Sequence, residues 1–202
     1  MTKVLLAVGL VAGAYLIGSI SPSVFLGRLV KGIDVREHGS GNAGAANAFR
    51  VLGTRLGVAV MAADILKGFL PVLAARYFTD PSVTVLVAMA AIAGHNWSVF
   101  LKGRGGKGVA TAAGAILAMM PVVIAVLVGT FLVVLAATSI VSLASLTATV
   151  LFPVLTITTA RPLAYVIFSV MASCVVGYSH RTNIRRLARR EEPRVRLPWR
   201  AR

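Results

Sequence analysis

Apolar residues fall in long blocks, from about position 4 to 27, 56 to 78, 82 to 101, and then from 108 to near 179. Each block holds the ~20 apolar residues that a helix needs to cross a bilayer, or a multiple of it. Three basic segments interrupt or end the blocks. The first, 28–55, carries Arg28, Lys31, Arg36, Arg50 and Arg55. The second, 102–107, carries Lys102, Arg104 and Lys107. The third, 181–202, carries nine arginines. The other candidate loops are nearly bare: 79–82 has no cation beyond nearby Arg76, and 160–162 has only Arg161.

Cationic loops of a membrane protein stay in the cytoplasm. All three basic segments are therefore expected on that side, separated by even numbers of spans. Two spans separate the first from the second. The block 108–180 must then hold two or four. Two would run to about 36 residues each, too long for a bilayer. Three, split near 138 and 161, would put the arginine-rich tail outside. Four fit if the chain also turns at Met120-Pro121, which leaves a short helix over about 108–120. A helix that short needs neighbours or a wet cavity to cover its end. The expected fold class is an all-α integral membrane protein of seven transmembrane helices, N-terminus outside and C-terminus cytoplasmic. The expected organisation is one membrane domain, 1–187, followed by a basic cytoplasmic tail, 188–202.

Composition agrees. The 202 residues are 57% hydrophobic and only 13% charged, with a mean hydropathy of +0.85. Soluble domains carry about a quarter charged residues, and disordered chains are poor in apolar ones. The net charge of +15 admits anionic partners. No basic stripe interleaved with aromatics supports nucleic acid, and topology accounts for most of the charge. The single Cys174 allows no intrachain disulfide and is expected to be a small packing residue. The N-terminal run lacks a cleavage-site pattern and is expected to be the first membrane helix.

The chemistry lies in the basic segments. In the first, Gly39-Ser40-Gly41-Asn42 leads through Gly44 and Asn47 to Arg50. Glycines let backbone N–H groups converge on an anion, Ser and Asn add neutral donors, and Arg50 can grip a phosphate with two parallel hydrogen bonds. Gly39-x-Gly41-x-x-Gly44 matches a dinucleotide fingerprint in form, but no βαβ unit surrounds it. In the second, Gly103, Gly105, Gly106 and Gly108 alternate with Arg104 and Lys107 just before a helix, an arrangement suited to phosphate at a helix N-terminus. Gly108 follows Lys107 where a Walker loop has Ser or Thr, so ATP hydrolysis is not expected. Asn96-Trp97-Ser98 is a formal glycosylation triplet on the cytoplasmic side and is discounted. In the third, His180 and Asn183 stand one turn apart if the last helix continues, with Arg185 and Arg186 pointing elsewhere. The tail beyond Leu187 is expected to meet anionic lipid headgroups. Asp64 and Lys67, at i, i+3 inside the second span, form either a structural ion pair or part of a substrate site. These clusters fit a site for phosphorylated ligands and leave a transferase and a transporter of organic phosphates both open. A non-catalytic scaffold recruiting a partner through its tail is a third class.

At these clusters the sequence closely resembles the bacterial acyl-phosphate-dependent glycerol-3-phosphate acyltransferases, the PlsY type. Gly-Ser-Gly-Asn-x-Gly-x-x-Asn-x-x-Arg is met by 39–50. Gly-His-Asn-aromatic and Gly-Gly-Lys-Gly-Val-Ala-Thr are met by 94–97 and 105–111, and His-Arg-x-Asn-Ile-x-Arg-Leu by 180–187. The resemblance implies transfer of a fatty acyl group from acyl phosphate to the 1-hydroxyl of glycerol 3-phosphate, giving lysophosphatidic acid and phosphate, the first step of phospholipid synthesis. It implies no metal and no other cofactor, and no acyl-carrier or coenzyme A donor. The family's site residues fall here on Ser40, Arg50, Gly105, Gly106, Lys107, Gly108, His180 and Asn183; Ser40, Arg50, Lys107, His180 and Asn183 are expected to be catalytic, and Gly39, Gly41, Asn42, Gly44, Asn47, Arg104, Gly105, Gly106 and Gly108 to bind phosphate. The implied setting is a multi-pass protein of the bacterial inner membrane with a cytoplasmic active site. Its partners are the two substrates, membrane lipid and, as a further candidate, a soluble enzyme that makes acyl phosphate. Ala46 stands where the family usually has Thr, Gly103 where it has an aromatic, Ser98 where Pro is usual, and Ser21-Pro22 where Ile-Pro-x-Gly is common.

Overall fold

The computed structural model describes residues 1–195. Among them the chain forms helices α1 (Thr2–Ser19), α2 (Pro22–Lys31), α3 (Ala45–Leu52), α4 (Thr54–Phe78), α5 (Pro81–Asn96), α6 (Val109–Met119), α7 (Pro121–Thr138), α8 (Val141–Thr158), α9 (Leu163–Ser179) and α10 (Arg181–Ala188), with 3-10 turns at Val35–Glu37 and Val99–Leu101. No strand occurs among the described residues. The helices fall into two compact units, Met1–Met120 and one that begins at Pro121.

Five helical stretches among the described residues are long and apolar enough to cross a membrane: Thr2–Lys31, Thr54–Phe78, Pro81–Leu101, Pro121–Thr138 and Val141–Thr158. A sixth results if α9 and α10, bent by 63° at His180, count together. The eleven-residue α6 is the short apolar helix expected before Pro121. The expected turns near 120, 138 and 161 are all present.

In the first unit the helices cross closely because small residues meet backbone. A Cβ at Gly68 of α4 would overlap the Thr111 carbonyl of α6, and one at Gly114 would overlap that of Ile65. Gly18 of α1 and Gly94 of α5 meet the backbones of Ala91 and Tyr15 in the same way. Such close backbone approach replaces the hydrophobic drive that lipid removes. The end of α6 is covered from within: Arg76 of α4 donates to the Ala118 carbonyl at 2.6 Å.

Two details depart from the sequence reading. The first apolar block is broken at Ile20-Ser21, because Pro22 removes an N–H and drives Ser21 out of the helical region (φ −110°, ψ 97°). Cys174 is exposed on α9, not packed. In the second unit α8 packs on both α7 and α9, with Phe152 edge-on to Phe168 at 5.8 Å. Residues 196–202, including Arg196, Arg200 and Arg202 of the basic tail, lie outside the described residues.

Candidate active site

The first glycine loop is built on Asn47. This side chain is buried in α3. Its Nδ2 donates to the carbonyls of Val35 (2.8 Å) and His38 (3.1 Å), and its Oδ1 accepts from Ser40 N–H at 2.8 Å. Asn47 thus shapes the loop from inside. Gly39 and Gly41 have φ of +63° and +69°, a region that glycine enters without strain and other residues adopt rarely. Asn42 Oδ1 accepts from Gly44 N–H at 2.9 Å. The result is a tight turn that leaves Ser40 exposed at its crest. Arg50 is exposed one turn along α3, and its Cδ runs beside Gly39.

At the loop's other end Asp34 caps the 3-10 turn. It accepts from Arg36 N–H and Nε, both at 3.0 Å, and from Arg28 at 2.9 Å. Hydrogen bonds from Arg36 outweigh the cost of burial and hold the Asp34 carboxyl well below the usual carboxylate range.

The second glycine loop folds onto the end of α5. Gly106 N–H donates to the His95 carbonyl at 2.9 Å and Gly105 N–H to that of Asn96 at 3.2 Å. Ser98, in the position where Pro is usual, donates to the Ser19 carbonyl at 2.6 Å. Gly103 takes φ +77° with open space around it, a backbone state that an aromatic would resist. Gly108 starts α6 at φ +79°. Lys107 is half-buried at the turn, and Arg104 reaches the first loop. A cleft of about 220 Å³ is lined by Asp34, Arg36, Glu37 and Gly41 from one loop and Arg104 from the other. The first and second loops, far apart in sequence, therefore share one polar opening in which two arginines face two carboxylates. Beside the α1–α2 break lies an apolar groove of about 590 Å³, walled by Val24, Phe25, Leu29, Phe100 and Leu101, with Arg28 and Ser21 on its lining.

Beneath the second loop Asp64 and Lys67 form the expected ion pair at 2.8 Å, both buried. Lys67 also donates to the Ile20 carbonyl at 2.7 Å, which the α1–α2 break has released from helical pairing. His95 Nδ1 stands 3.5 Å from Asp64 Oδ1 and 3.1 Å from Thr111 Oγ1. Sequence reading singled out the ion pair but not its link to His95, which only the fold creates.

In the second unit the bend at His180 changes the expected geometry. His180 ends α9 and opens α10. Its Nδ1 lies 2.8 Å from the Val176 carbonyl. A carbonyl only accepts, so Nδ1 carries the proton and Nε2 the lone pair in the neutral ring. Asn183 is buried, and its Nδ2 donates to Glu192 Oε1. Glu192 also accepts from Ser142 at 2.8 Å and from Arg186 Nε at 2.7 Å. Burial opposes the charge on Glu192, but the bonds from Arg186, Asn183 and Ser142 win and hold its carboxyl below the ordinary value. The chain after α10 thus folds back on its own unit, and Val195 N–H donates to the Ser139 carbonyl at 2.8 Å. A signal for this was present: Glu191-Glu192 is a lone acidic pair in a tail of arginines.

The glycerol-3-phosphate acyltransferase family model matches residues 8–190. A glycerol-3-phosphate acyltransferase of Fusobacterium nucleatum is 43% identical over 174 residues, spanning 86% of this chain and 90% of the relative. One from Desulforudis audaxviator is 42% identical over 190 residues, spanning 94% and 96%. Among solved structures, the fold is similar to the crystal structure of PlsY (YgiH), an integral membrane glycerol 3-phosphate acyltransferase. Its glycerol 3-phosphate form matches with a TM-score of 0.91 at 38% identity, covering 94% of this chain and 96% of that one. Its lysophosphatidic acid form matches with a TM-score of 0.88. With a model matched along nearly its whole length and relatives above 40% identity, the chain belongs to the glycerol-3-phosphate acyltransferase family.

Proposed function

We propose that this membrane acyltransferase takes its acyl group from acyl phosphate and passes it directly to the 1-hydroxyl of glycerol 3-phosphate. The observation that carries the reading is the shared opening of the two glycine loops, where Arg36 and Arg104 stand with Asp34 and Glu37, while Arg50 follows the first loop on α3 and Lys107 lies in the second. Both substrates are phosphates, and the chemistry is charge neutralisation by fixed donors and cations. The Ser40 hydroxyl, Arg50 and Lys107 hold phosphate and stabilise developing negative charge, on loops whose turn glycines are fixed by their own hydrogen bonds. The attacking oxygen forms a bond to the acyl carbon, the bond from that carbon to the phosphate oxygen breaks, and inorganic phosphate leaves. The hydroxyl proton goes to His180 Nε2 or to a substrate phosphate oxygen. Acyl phosphate already has a good leaving group, so alignment supplies most of the catalysis. Asn183, fixed by Glu192, orients substrate. The apolar groove beside Phe25 and Leu29 is the seat for the acyl tail.

The same reading sets the enzyme in the inner membrane as seven spans, counting α6, with the N-terminus outside and the loops in the cytoplasm. Residues 1–187 form the acyltransferase and 188–202 a basic tail, and a soluble enzyme that makes acyl phosphate is its candidate partner. The test is a donor comparison with purified protein in detergent and glycerol 3-phosphate as acceptor. Lysophosphatidic acid is expected from acyl phosphate and not from acyl-coenzyme A or acyl-carrier protein. Product from either thioester at comparable rates, with none from acyl phosphate, would overturn the donor assignment.

A further inference from the structure

Four buried polar side chains lie beneath the second glycine loop, on three different helices: Asp64 and Lys67 of α4, His95 of α5 and Thr111 of α6. Burying charge in a membrane protein is costly, so such groups are kept where they act. Their arrangement has a direction. Lys67 ties Asp64 to the carbonyl of Ile20 at the α1–α2 break. His95 Nδ1 faces Thr111 Oγ1 at 3.1 Å and Asp64 Oδ1 at 3.5 Å, so both neighbours set the orientation of the ring. The opposite nitrogen, Nε2, lies directly against Gly106: a Cβ added there would overlap it. The His95 carbonyl, from the same residue, receives the Gly106 N–H at 2.9 Å. Gly106 is thus held from two sides by one residue, and that residue is itself oriented by Asp64 and Thr111.

We propose that Asp64, His95 and Thr111 are positioning residues for the acceptor phosphate: they fix the height and tilt of the Gly105–Gly108 turn, and so set the affinity for glycerol 3-phosphate. The inference rests on the reading of that turn as a phosphate seat. None of the three touches substrate. Their effect passes through the backbone of Gly106, whose own N–H is held by the His95 carbonyl, to the neighbouring Lys107 and Gly108, which must meet the anion.

The test compares His95→Asn with His95→Leu in the full-length purified protein, reading KM for glycerol 3-phosphate, kcat and melting temperature. Asn places an amide where Nδ1 stood and can still bond Asp64 and Thr111. Leu fills similar space without that link. His95→Asn is expected to keep KM within about 3-fold, and His95→Leu to raise it by about 10-fold or more, on the scale of one or two lost hydrogen bonds. In both, kcat falls far less than KM rises. Thr111→Val, which keeps the shape and removes the hydroxyl, is expected to raise KM about 3-fold at unchanged melting temperature. It decides the matter if either His95 variant does not fold. Lys107→Ala is the reference. If Lys107→Ala raises KM while folded His95→Leu and Thr111→Val leave it unchanged, the positioning role is overturned and the phosphate seat stands. If Lys107→Ala leaves KM unchanged, the phosphate seat itself is overturned. A fall in melting temperature with KM intact would mark the network as purely structural and overturn the proposal.

Discussion

Arg50 and Lys107 bring the same charge on different supports. Arg50 projects from α3 beside a loop whose every turn is pinned by Asn47 and two left-handed glycines. Its planar fork can fix a phosphate in one orientation, whereas a lysine is a point charge. Arg50→Lys is therefore expected to lower kcat about 100-fold, the scale of a ~1 Å misplacement. Lys107→Arg is expected chiefly to raise KM for glycerol 3-phosphate. Steady-state kinetics at saturating acyl phosphate separates the two. Glu192 makes a prediction of another kind. Its folded carboxyl titrates below its ordinary value of 4.5, so the stability it adds is fully present above that value. It is lost as pH falls through the lowered folded value. Glu192→Gln should cost about 2 kcal/mol at neutral pH, as charged hydrogen bonds to Asn183, Ser142 and Arg186 weaken. It should also flatten the fall in melting temperature below pH 4.5, measured as thermal unfolding in detergent across the acid range. Ser40, Arg50 and Lys107 could be singled out from sequence because donors, cations and glycines crowd into single loops. His95 could not be placed, because its partners come from other helices; for Glu192 the acidic pair was visible, but not its partner Ser142 on α8.

Breaks between helices were legible at Pro121 and around Arg161, where proline or a polar turn interrupts an apolar run. The interruption at Ile20 was missed although Ser19, Ser21 and Pro22 mark it, because the apolar run resumes at once on the far side. The bend at His180 was missed because nothing in His180-Arg181-Thr182 forbids a continuous helix. What sequence could not reveal at all is which glycines lie at crossings. Gly68 and Gly114 abut backbone across α4 and α6, whereas Gly9 and Gly13 of α1 have nothing within 4 Å. Gly68→Ala is expected to destabilise by about 1–3 kcal/mol through overpacking. Gly13→Ala should be neutral or stabilising by up to about 1 kcal/mol, as in any open helix interior. Melting temperatures of the two variants in one detergent check the contrast, and equal losses would contradict the assigned crossing.

The proposed seven spans with cytoplasmic loops require a fixed pattern of accessibility. A cysteine label at position 80 should react from outside, and labels at 103 and 195 from inside, in a Cys174-free background, because Cys174 is itself exposed. Labels at 103 and 195 on opposite sides would show that α6 does not count as a span. The chemistry is tested most directly by measuring lysophosphatidic acid and phosphate together while both substrates are varied. Direct transfer requires acyl phosphate and glycerol 3-phosphate to be bound at once, whereas an acyl-enzyme on Ser40 would give ping-pong kinetics. The expected result is one phosphate released for each lysophosphatidic acid formed, with double-reciprocal lines that intersect. Phosphate release without lysophosphatidic acid, or parallel lines with an acyl group trapped on Ser40, would contradict direct transfer between two phosphates held by the glycine loops.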